Sequence, residues 1–332
     1  MPIKIPKPST TSYNKTQTPS KKLIKIPKNK KQAPKPFIDR ISLILDINDK
    51  AEAEGIHSNI GAQFADTQTF QSAKSGGGAY QTARRLCLPS ATKAKHYPLV
   101  QYRHYQKLAV QFRLTFSPVD LDLSCMIEMH VLLTSLLEGG WCSFIQNARI
   151  TMIEVSVDLN GVPISEVHPL PQQTTTAKVY SNNGHLQTLY LGKKKGNQYR
   201  IYDRAEKRNA KKQGWSSGEC TRVERVERGK SIKPLELKQL PNPFLGLSFV
   251  DLPQSPPPGK QNVYVWPLFC DSVQQRTLPV ALKLLPATTK RKEFRSWLSQ
   301  HPKPWWDPDA IWDHWSQVLD DAKFLDVSYW DK

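Results

Sequence analysis

The sequence has 332 residues, enough for one large domain or two small ones with a buried core. Its 47 lysine and arginine residues outnumber its 29 acidic residues, which gives a formal net charge of +18. This charge favours nucleic acid as a partner, because basic side chains neutralise phosphates and release counterions. A membrane is disfavoured, because the sequence shows neither a strongly amphipathic basic helix nor an apolar run of about 20 residues.

The five cysteines are scattered and form no Cys-x-x-Cys pair, which argues against a zinc site and against a disulfide framework. Isolated cysteines are typical of small core residues in a reducing compartment. The first residues contain no apolar signal core. We therefore expect a cytoplasmic protein.

Residues 1–36 are rich in lysine, proline, serine and threonine and contain no acidic residue. The pentapeptide IKIPK occurs twice, at Ile3–Lys7 and at Ile24–Lys28. Frequent proline blocks helices, and so few apolar residues cannot offset the entropy lost on folding. We predict a disordered basic tail, which serves either as a solvated extension or as an arm that tethers DNA.

Strands and helices are predicted to alternate in the segments from Pro36 to Leu137. The glycine-rich break at Ser75–Gly78 lacks the spacing of a phosphate-binding loop and is interpreted as a plain turn. The apolar periods predict the following elements in chain order: a strand at Pro36–Ile47, helical character at Lys50–Phe70, a strand at Leu108–Phe116 and a helix at Val119–Leu137.

The strand predicted at Arg149–Leu159 carries two carboxylates on one face. Ile153, Val155 and Val157 alternate with Glu154, Ser156 and Asp158. An exposed sheet face would explain these carboxylates, and so would a metal site that uses Glu154 or Asp158.

A hairpin with a basic tip is predicted next. The apolar run Leu189–Leu191 turns through Lys193, Lys194 and Lys195 into a second strand, Gln198–Asp203. Alternation places Gln198, Arg200 and Tyr202 on one face of this strand and Tyr199 and Ile201 on the other. A charged helical segment at Arg204–Lys212 and a strand at Thr221–Arg228 follow, the latter with Arg222 and Glu224 on one side.

Beyond Lys230 the chain is interrupted by proline and is dense in tryptophan. Val263–Phe269 and Val280–Leu285 fit two strands or a strand and a helix, whereas Lys290–Gln300 and Pro308–Phe324 fit short amphipathic helices. The tryptophans are interpreted as packing residues or as a stacking platform for unpaired bases.

These elements predict an α+β fold, mainly an antiparallel sheet with helices packed on one face and preceded by the disordered tail. The expected divisions are a tail at 1–36, a DNA-binding domain at 37–235, and a proline- and tryptophan-rich C-terminal region at 236–332.

The motifs YLGKKK at Tyr190–Lys195, YRIYDRAE at Tyr199–Glu206 and TRVE at Thr221–Glu224 resemble the replication initiation factor family. This family comprises the rolling-circle initiators of small plasmids and filamentous phages, which nick one DNA strand through a tyrosine. The resemblance covers roughly Ile150–Arg228. The chain departs from the family pattern at Lys193, where serine is usual, and at Arg204, where lysine is usual, and both changes keep a polar or basic character.

The resemblance implies a role for each residue of these motifs. Tyr202 would attack the phosphorus and remain joined to the 5′-phosphate, with Tyr199 as the competing nucleophile. Arg200 and Arg204 would steady the phosphate, and Lys193, Lys194, Lys195 and Arg222 would contact DNA. Glu224, together with Glu154 or Asp158, would bind Mg²⁺ or Mn²⁺.

The eight histidines include no His-x-His pair, which argues against the nickases that hold a metal through two histidines. The leading hypothesis is a metal-dependent tyrosine nickase that starts rolling-circle replication. The alternatives are a non-catalytic DNA-binding protein, either a regulator or a decayed initiator, and an RNA-binding protein. Expected partners are double-stranded origin DNA and its nicked single strand, with a host helicase and a second copy of the chain as further candidates.

Overall fold

The computed structural model describes residues 33–63, 68–73, 80–93, 96–104, 110–172, 177–182, 185–210, 218–286 and 288–325. The described part of the chain belongs to one compact unit that starts at Ala33. Residues 1–32 of the predicted tail, the glycine-rich break at Ser75–Gly78 and Trp330 lie outside the described residues. The division predicted at residue 235 stays a prediction.

Ten strands form one antiparallel sheet, and two short strands form a second. The strands are β1 (Pro36–Ile47), β2 (Phe70–Ser72), β3 (Tyr80–Leu86), β4 (Leu99–His104), β5 (Val110–Phe116), β6 (Arg149–Asn160), β7 (Pro169–Pro171), β8 (Ala177–Asn182), β9 (His185–Gly192), β10 (Gln198–Asp203), β11 (Cys220–Ile232) and β12 (Leu247–Phe249). The large sheet has the order β2-β3-β4-β5-β1-β6-β11-β10-β9-β8, and the small one pairs β12 with β7.

The helices are α1 (Lys50–Gln63), α2 (Leu123–Leu136), α3 (Gly140–Asn147), α4 (Arg204–Ala210), α5 (Asn262–Arg276), α6 (Leu278–Leu284), α7 (Thr288–Ser299), α8 (Pro308–Trp312) and α9 (Trp315–Ala322). Asp122 caps α2 by accepting a hydrogen bond from the backbone N–H of Cys125. Asp307 caps α8 by accepting hydrogen bonds from the backbone N–H groups of Asp309 and Ala310. The fold is therefore α+β, as predicted.

One face of the large sheet packs against helices and forms the main core. Alternate residues of the central strands enter this core, among them Val155 and Val157 of β6, Ile201 of β10 and Val223 of β11. Two tryptophans of the C-terminal region join it. Trp306, which precedes α8, and Trp315 of α9 are buried, and their indole N–H groups donate to the carbonyls of Leu247 and Leu237. These rings pack the core, in agreement with the first interpretation.

Helices α5, α6 and α7 gather around a second, smaller core. Trp266, Phe269 and Phe294 form its aromatic centre, and Leu170 of β7 and Val250 pack onto it. None of the helices in the described ranges is both long enough and apolar enough to cross a membrane.

The structure corrects several predicted boundaries. Val263–Phe269 and Val280–Leu285 are helical in α5 and α6, where short apolar runs left helix and strand unresolved. The helix predicted at Val119–Leu137 begins only at Leu123, because Pro118–Asp120 forms a short 3₁₀ turn.

Candidate active site

The predicted site residues of β6, β10 and β11 lie on the face of the sheet opposite the main core. Strands β6, β11, β10 and β9 are adjacent, so residues in register form rows across them. One row runs from Asp158 through Arg222 and Tyr202 to Thr188. The next runs from Ser156 through Glu224 and Arg200 to Tyr190, again in register. Residues from three separate stretches of the sequence thus meet on one surface.

Tyr202 faces the carboxylates, as alternation along β10 predicts. Its hydroxyl donates a hydrogen bond to Glu224 Oε1, and both side chains are buried. The Nζ of Lys207, on α4, lies 3.5 Å from the centre of the Tyr202 ring. Burial raises the pKa of Tyr202, and the neighbouring Glu224 carboxylate raises it further.

Tyr199 lies on the other face and points into the main core. Its hydroxyl donates to the carbonyl oxygen of Pro243 at 2.8 Å, and Arg225 stacks 4.3 Å from its ring centre. Burial raises the pKa of Tyr199. The two tyrosines therefore have different chemical surroundings, one carboxylate and one carbonyl.

Three carboxylates, Asp39, Glu154 and Glu224, converge beside Tyr202. One oxygen of each lies within 4.8 Å of the oxygens of the other two. Burial raises the pKa of Glu224, and the Asp39 charge raises it further. Nearby, the buried Ser156 hydroxyl has no hydrogen-bond partner among the described residues.

This oxygen-only donor set fits a hard divalent cation such as Mg²⁺ or Mn²⁺. Arg200 supplies positive charge at the same place: its Nη1 lies 3.2 Å from Glu154 Oε1 and 3.4 Å from Glu224 Oε2. Two of the three predicted metal ligands, Glu224 and Glu154, are thus in the cluster.

Asp39 is a site residue that the sequence did not reveal. It lies on β1, where Ile38 pairs with Val155 but Arg40 pairs with Glu154, so β1 holds one additional residue at this point. Ile38 and Ile41 both enter the main core although they are three residues apart, which leaves Asp39 and Arg40 outside it. Regular alternation along β1 would not predict this position.

Asp158, the third predicted ligand, is engaged by arginines instead. Arg222 donates to it twice, through Nε at 2.6 Å and through Nη2 at 3.0 Å, and Arg204 forms a further ion pair with it. Such bidentate pairing satisfies both carboxylate oxygens. Of the two residues that the sequence left open as partners of Glu224, Glu154 joins the cluster and Asp158 does not.

Arg222 is only 8% exposed, and its third donor reaches Asp39 Oδ1 at 3.2 Å. The guanidinium also stacks on Phe37, at 4.7 Å from the ring centre. In this arrangement it orients Asp158 and Asp39, and its contact with DNA stays a prediction. Arg204, likewise paired with Asp158, remains only a predicted phosphate contact.

The three lysines of the hairpin tip, Lys193, Lys194 and Lys195, are exposed between β9 and β10. Gly192 enters this turn with φ +105°, and a Cβ there would lie 2.5 Å from the Asn197 carbonyl oxygen, so glycine is required. Tyr202 is four residues further along β10 than Gln198, or about 13 Å at roughly 3.3 Å per residue. Contact of these lysines with DNA stays a prediction.

No protein-family model matches this sequence, and no curated protein sequence matches it. Among solved structures, the chain is similar to the rolling circle replication initiator protein from Geobacillus stearothermophilus. The similarity has a TM-score of 0.40 and 15% sequence identity, and it covers 72% of this chain and 96% of that chain. At this level of likeness, a functional conclusion depends on the side chains of this chain.

Proposed function

We propose that this chain nicks one strand of DNA through Tyr202 and so initiates rolling-circle replication. The observation that carries the proposal is the hydrogen bond from Tyr202 to Glu224 inside a cluster of three carboxylates and one arginine. A tyrosine beside a carboxylate base and a cation site has the groups that phosphodiester transfer requires. The sequence motifs at Tyr199–Glu206 and Thr221–Glu224 support the same assignment.

The chemical step exchanges one phosphoester bond for another. Tyr202 Oη bonds to phosphorus while the bond from phosphorus to the 3′-oxygen breaks. The phenolic proton passes to Glu224, and the 3′-oxygen leaves as a hydroxyl after taking a proton from solvent. The products are a tyrosyl 5′-phosphate and a free 3′-hydroxyl that a polymerase can extend.

Glu224 has two properties that suit it to accept the proton. Its Oε1 already accepts the hydrogen bond from Tyr202, and its raised pKa makes it a stronger base than an exposed glutamate. A bound Mg²⁺ or Mn²⁺ would neutralise charge on the phosphate. Asp39, Glu154 and Glu224 are the residues that would hold it. Arg200, adjacent to both glutamates, would bind a phosphate oxygen.

The competing function is non-catalytic DNA binding. It is favoured by the burial of Tyr202, which is 4% exposed and whose ring is covered by Lys207. A nucleophile must reach phosphorus, so the nickase requires Lys207 and α4 to yield when DNA binds. A regulator or a decayed initiator would keep the basic surface without that movement.

A covalent adduct distinguishes the two functions. Purified protein is incubated with Mn²⁺ or Mg²⁺ and a supercoiled plasmid that carries the DNA flanking its coding sequence, and the mixture is run on a denaturing gel. We expect a protein–DNA adduct and a nicked plasmid with the wild type and with Tyr199→Phe, and neither with Tyr202→Phe. Adducts in Tyr202→Phe that disappear in Tyr199→Phe would transfer the role to Tyr199.

Absence of adducts in every variant, with DNA binding retained, would leave the binding protein. Origin duplex, its nicked strand, a host helicase and a second copy of the chain are the partners that belong to the nickase proposal.

A further inference from the structure

Two tyrosines lie side by side on the outer strands of the sheet, on the same face as the candidate site. Tyr180 of β8 and Tyr190 of β9 meet edge to face, with their ring centres 5.6 Å apart. Tyr180 is 48% exposed, which is unusual for an aromatic ring in a pair. Lys178 Nζ lies 5.6 Å from the centre of the Tyr180 ring.

The strand register connects this pair to the site. Tyr190 pairs with Arg200, and Tyr180 pairs with Thr188, which in turn pairs with Tyr202. With about 4.8 Å between neighbouring strands, Tyr180 is roughly 10 Å from Tyr202 across the sheet. At roughly 3.4 Å per nucleotide, a strand with a phosphate at Tyr202 reaches Tyr180 within about three nucleotides.

We propose that Tyr180, Tyr190 and Lys178 form a stacking platform that binds unpaired bases of the DNA strand next to the phosphate that is cut. The proposal rests on the proposed function and adds to it the residues that hold the DNA strand beside the cut phosphate. An exposed ring beside a lysine provides both contacts of such a site, since the ring stacks on a base and the ammonium pairs with the backbone.

The geometry favours unpaired over paired bases. In a duplex each base face is covered by the neighbouring base pair, so a tyrosine ring can stack only on a base that is free. The charge near the platform favours an anionic strand over an apolar protein partner: Lys178 lies at the platform, and Lys193, Lys194 and Lys195 are exposed at the tip of β9 and β10.

The platform is tested by a pair of probes that differ only in their bases. One is a fluorescent twelve-nucleotide thymidine strand, and the other is a strand of twelve abasic nucleotides with the same phosphates. Binding is measured in chelator on a Tyr202→Phe background, so that no cleavage can occur. We expect the wild-type platform to bind the thymidine strand more tightly than the abasic strand.

Tyr180→Leu should weaken binding of the thymidine strand by about 5- to 150-fold, the range measured for loss of one base–aromatic stack, and leave abasic binding unchanged. Tyr190→Leu should act in the same direction. Tyr180→Phe keeps the ring and should retain the preference. Tyr264→Leu is the matched control, because Tyr264 is 81% exposed on α5, outside the large sheet.

Equal affinity of the wild-type platform for both strands would overturn the proposal, and this result does not depend on how any leucine variant folds. Equal weakening of both strands by Tyr180→Leu would also overturn it. The adduct assay is separate. Adducts without a base preference would refute the platform and keep the nickase, whereas a base preference without adducts would keep the platform and refute the nickase.

Discussion

Tyr202→Phe and Tyr199→Phe form a matched pair for measuring what surrounds each tyrosine. Both hydroxyls are buried hydrogen-bond donors, three residues apart on β10, and both substitutions remove one oxygen while keeping the ring. They differ in the acceptor, which is a carboxylate for Tyr202 and a backbone carbonyl for Tyr199. A comparison of the two therefore isolates the effect of the Glu224 charge.

The expected magnitudes follow from the acceptors. A hydrogen bond to a charged group contributes roughly 1.5–3 kcal/mol and a neutral one roughly 0.5–1.5 kcal/mol. Tyr202→Phe should therefore lower the free energy of unfolding by about 2 kcal/mol at a pH where Glu224 is charged, and Tyr199→Phe by about 1 kcal/mol. Arg200 still contacts Glu224 after Tyr202→Phe, so the carboxylate keeps one partner and the loss of stability should lie in the lower part of the range for a charged hydrogen bond.

The pH dependence gives the sharper distinction. The hydrogen bond from Tyr202 lowers the pKa of Glu224, against the larger effect of burial, so its removal raises that pKa further. The stability difference between wild type and Tyr202→Phe should therefore be largest at high pH. It should shrink as the pH falls through the folded-state pKa of Glu224, which lies above its ordinary value of 4.5. Tyr199→Phe should show no such trend.

The assay is urea unfolding of wild type and both variants between pH 5 and pH 8. A cost for Tyr202→Phe that is constant with pH, or that grows as the pH falls, would refute the assignment of Glu224 as a charged acceptor. The same trend in Tyr199→Phe would show that the pH dependence arises elsewhere.

Three further predictions concern the metal, the DNA and a partly buried histidine. Asp39→Asn should weaken Mn²⁺ binding measured by calorimetry, and binding that is unaffected by the substitution would remove Asp39 from the site. Mn²⁺ binding to the wild type should tighten as the pH rises, because Glu224 must lose its proton to bind the ion. Joint replacement of Lys193, Lys194 and Lys195 by alanine should reduce the slope of log affinity for duplex DNA against log salt by up to about 3, and an unchanged slope would place the phosphate contacts elsewhere. Burial and the Lys303 charge lower the pKa of His168 from 6.5 to about 4. About 3 kcal/mol of stability should therefore be lost as the pH falls from 6.5 to 4. His168→Gln should flatten that part of the curve of unfolding free energy against pH, measured by urea unfolding.

The side of the sheet on which each residue lies could be predicted from the sequence. Period-two alternation placed Tyr202 and Arg200 together and Tyr199 opposite them, and it placed Glu154 with Asp158, as the structure confirms. These residues lie in strands that are regular over the relevant stretch. Alternation is a local property, so a short sequence suffices to define it.

The partners across strands could not be predicted in the same way. Asp158 faces Arg222 because β6 and β11 pair in one particular register, and nothing in either strand alone specifies it. The additional residue in β1 breaks alternation at Asp39 without glycine or proline to mark it. In α5, Pro267 inside an apolar run left the segment without a clear helical or strand pattern.

The additional residue in β1 has a consequence for how such a site can be gained or lost. Deletion of the additional residue would restore regular pairing between β1 and β6 at this point and would remove the aspartate from the site. Ile38 could still pair with Val155, and Arg40 with Glu154. Glu154 on β6 and Glu224 on β11 would remain, but the third carboxylate of the cluster would be gone. Among related chains, the number of residues in β1 relative to the paired stretch of β6 should therefore distinguish sites with three carboxylates from sites with two. This comparison uses the number of residues in each strand and not their identity.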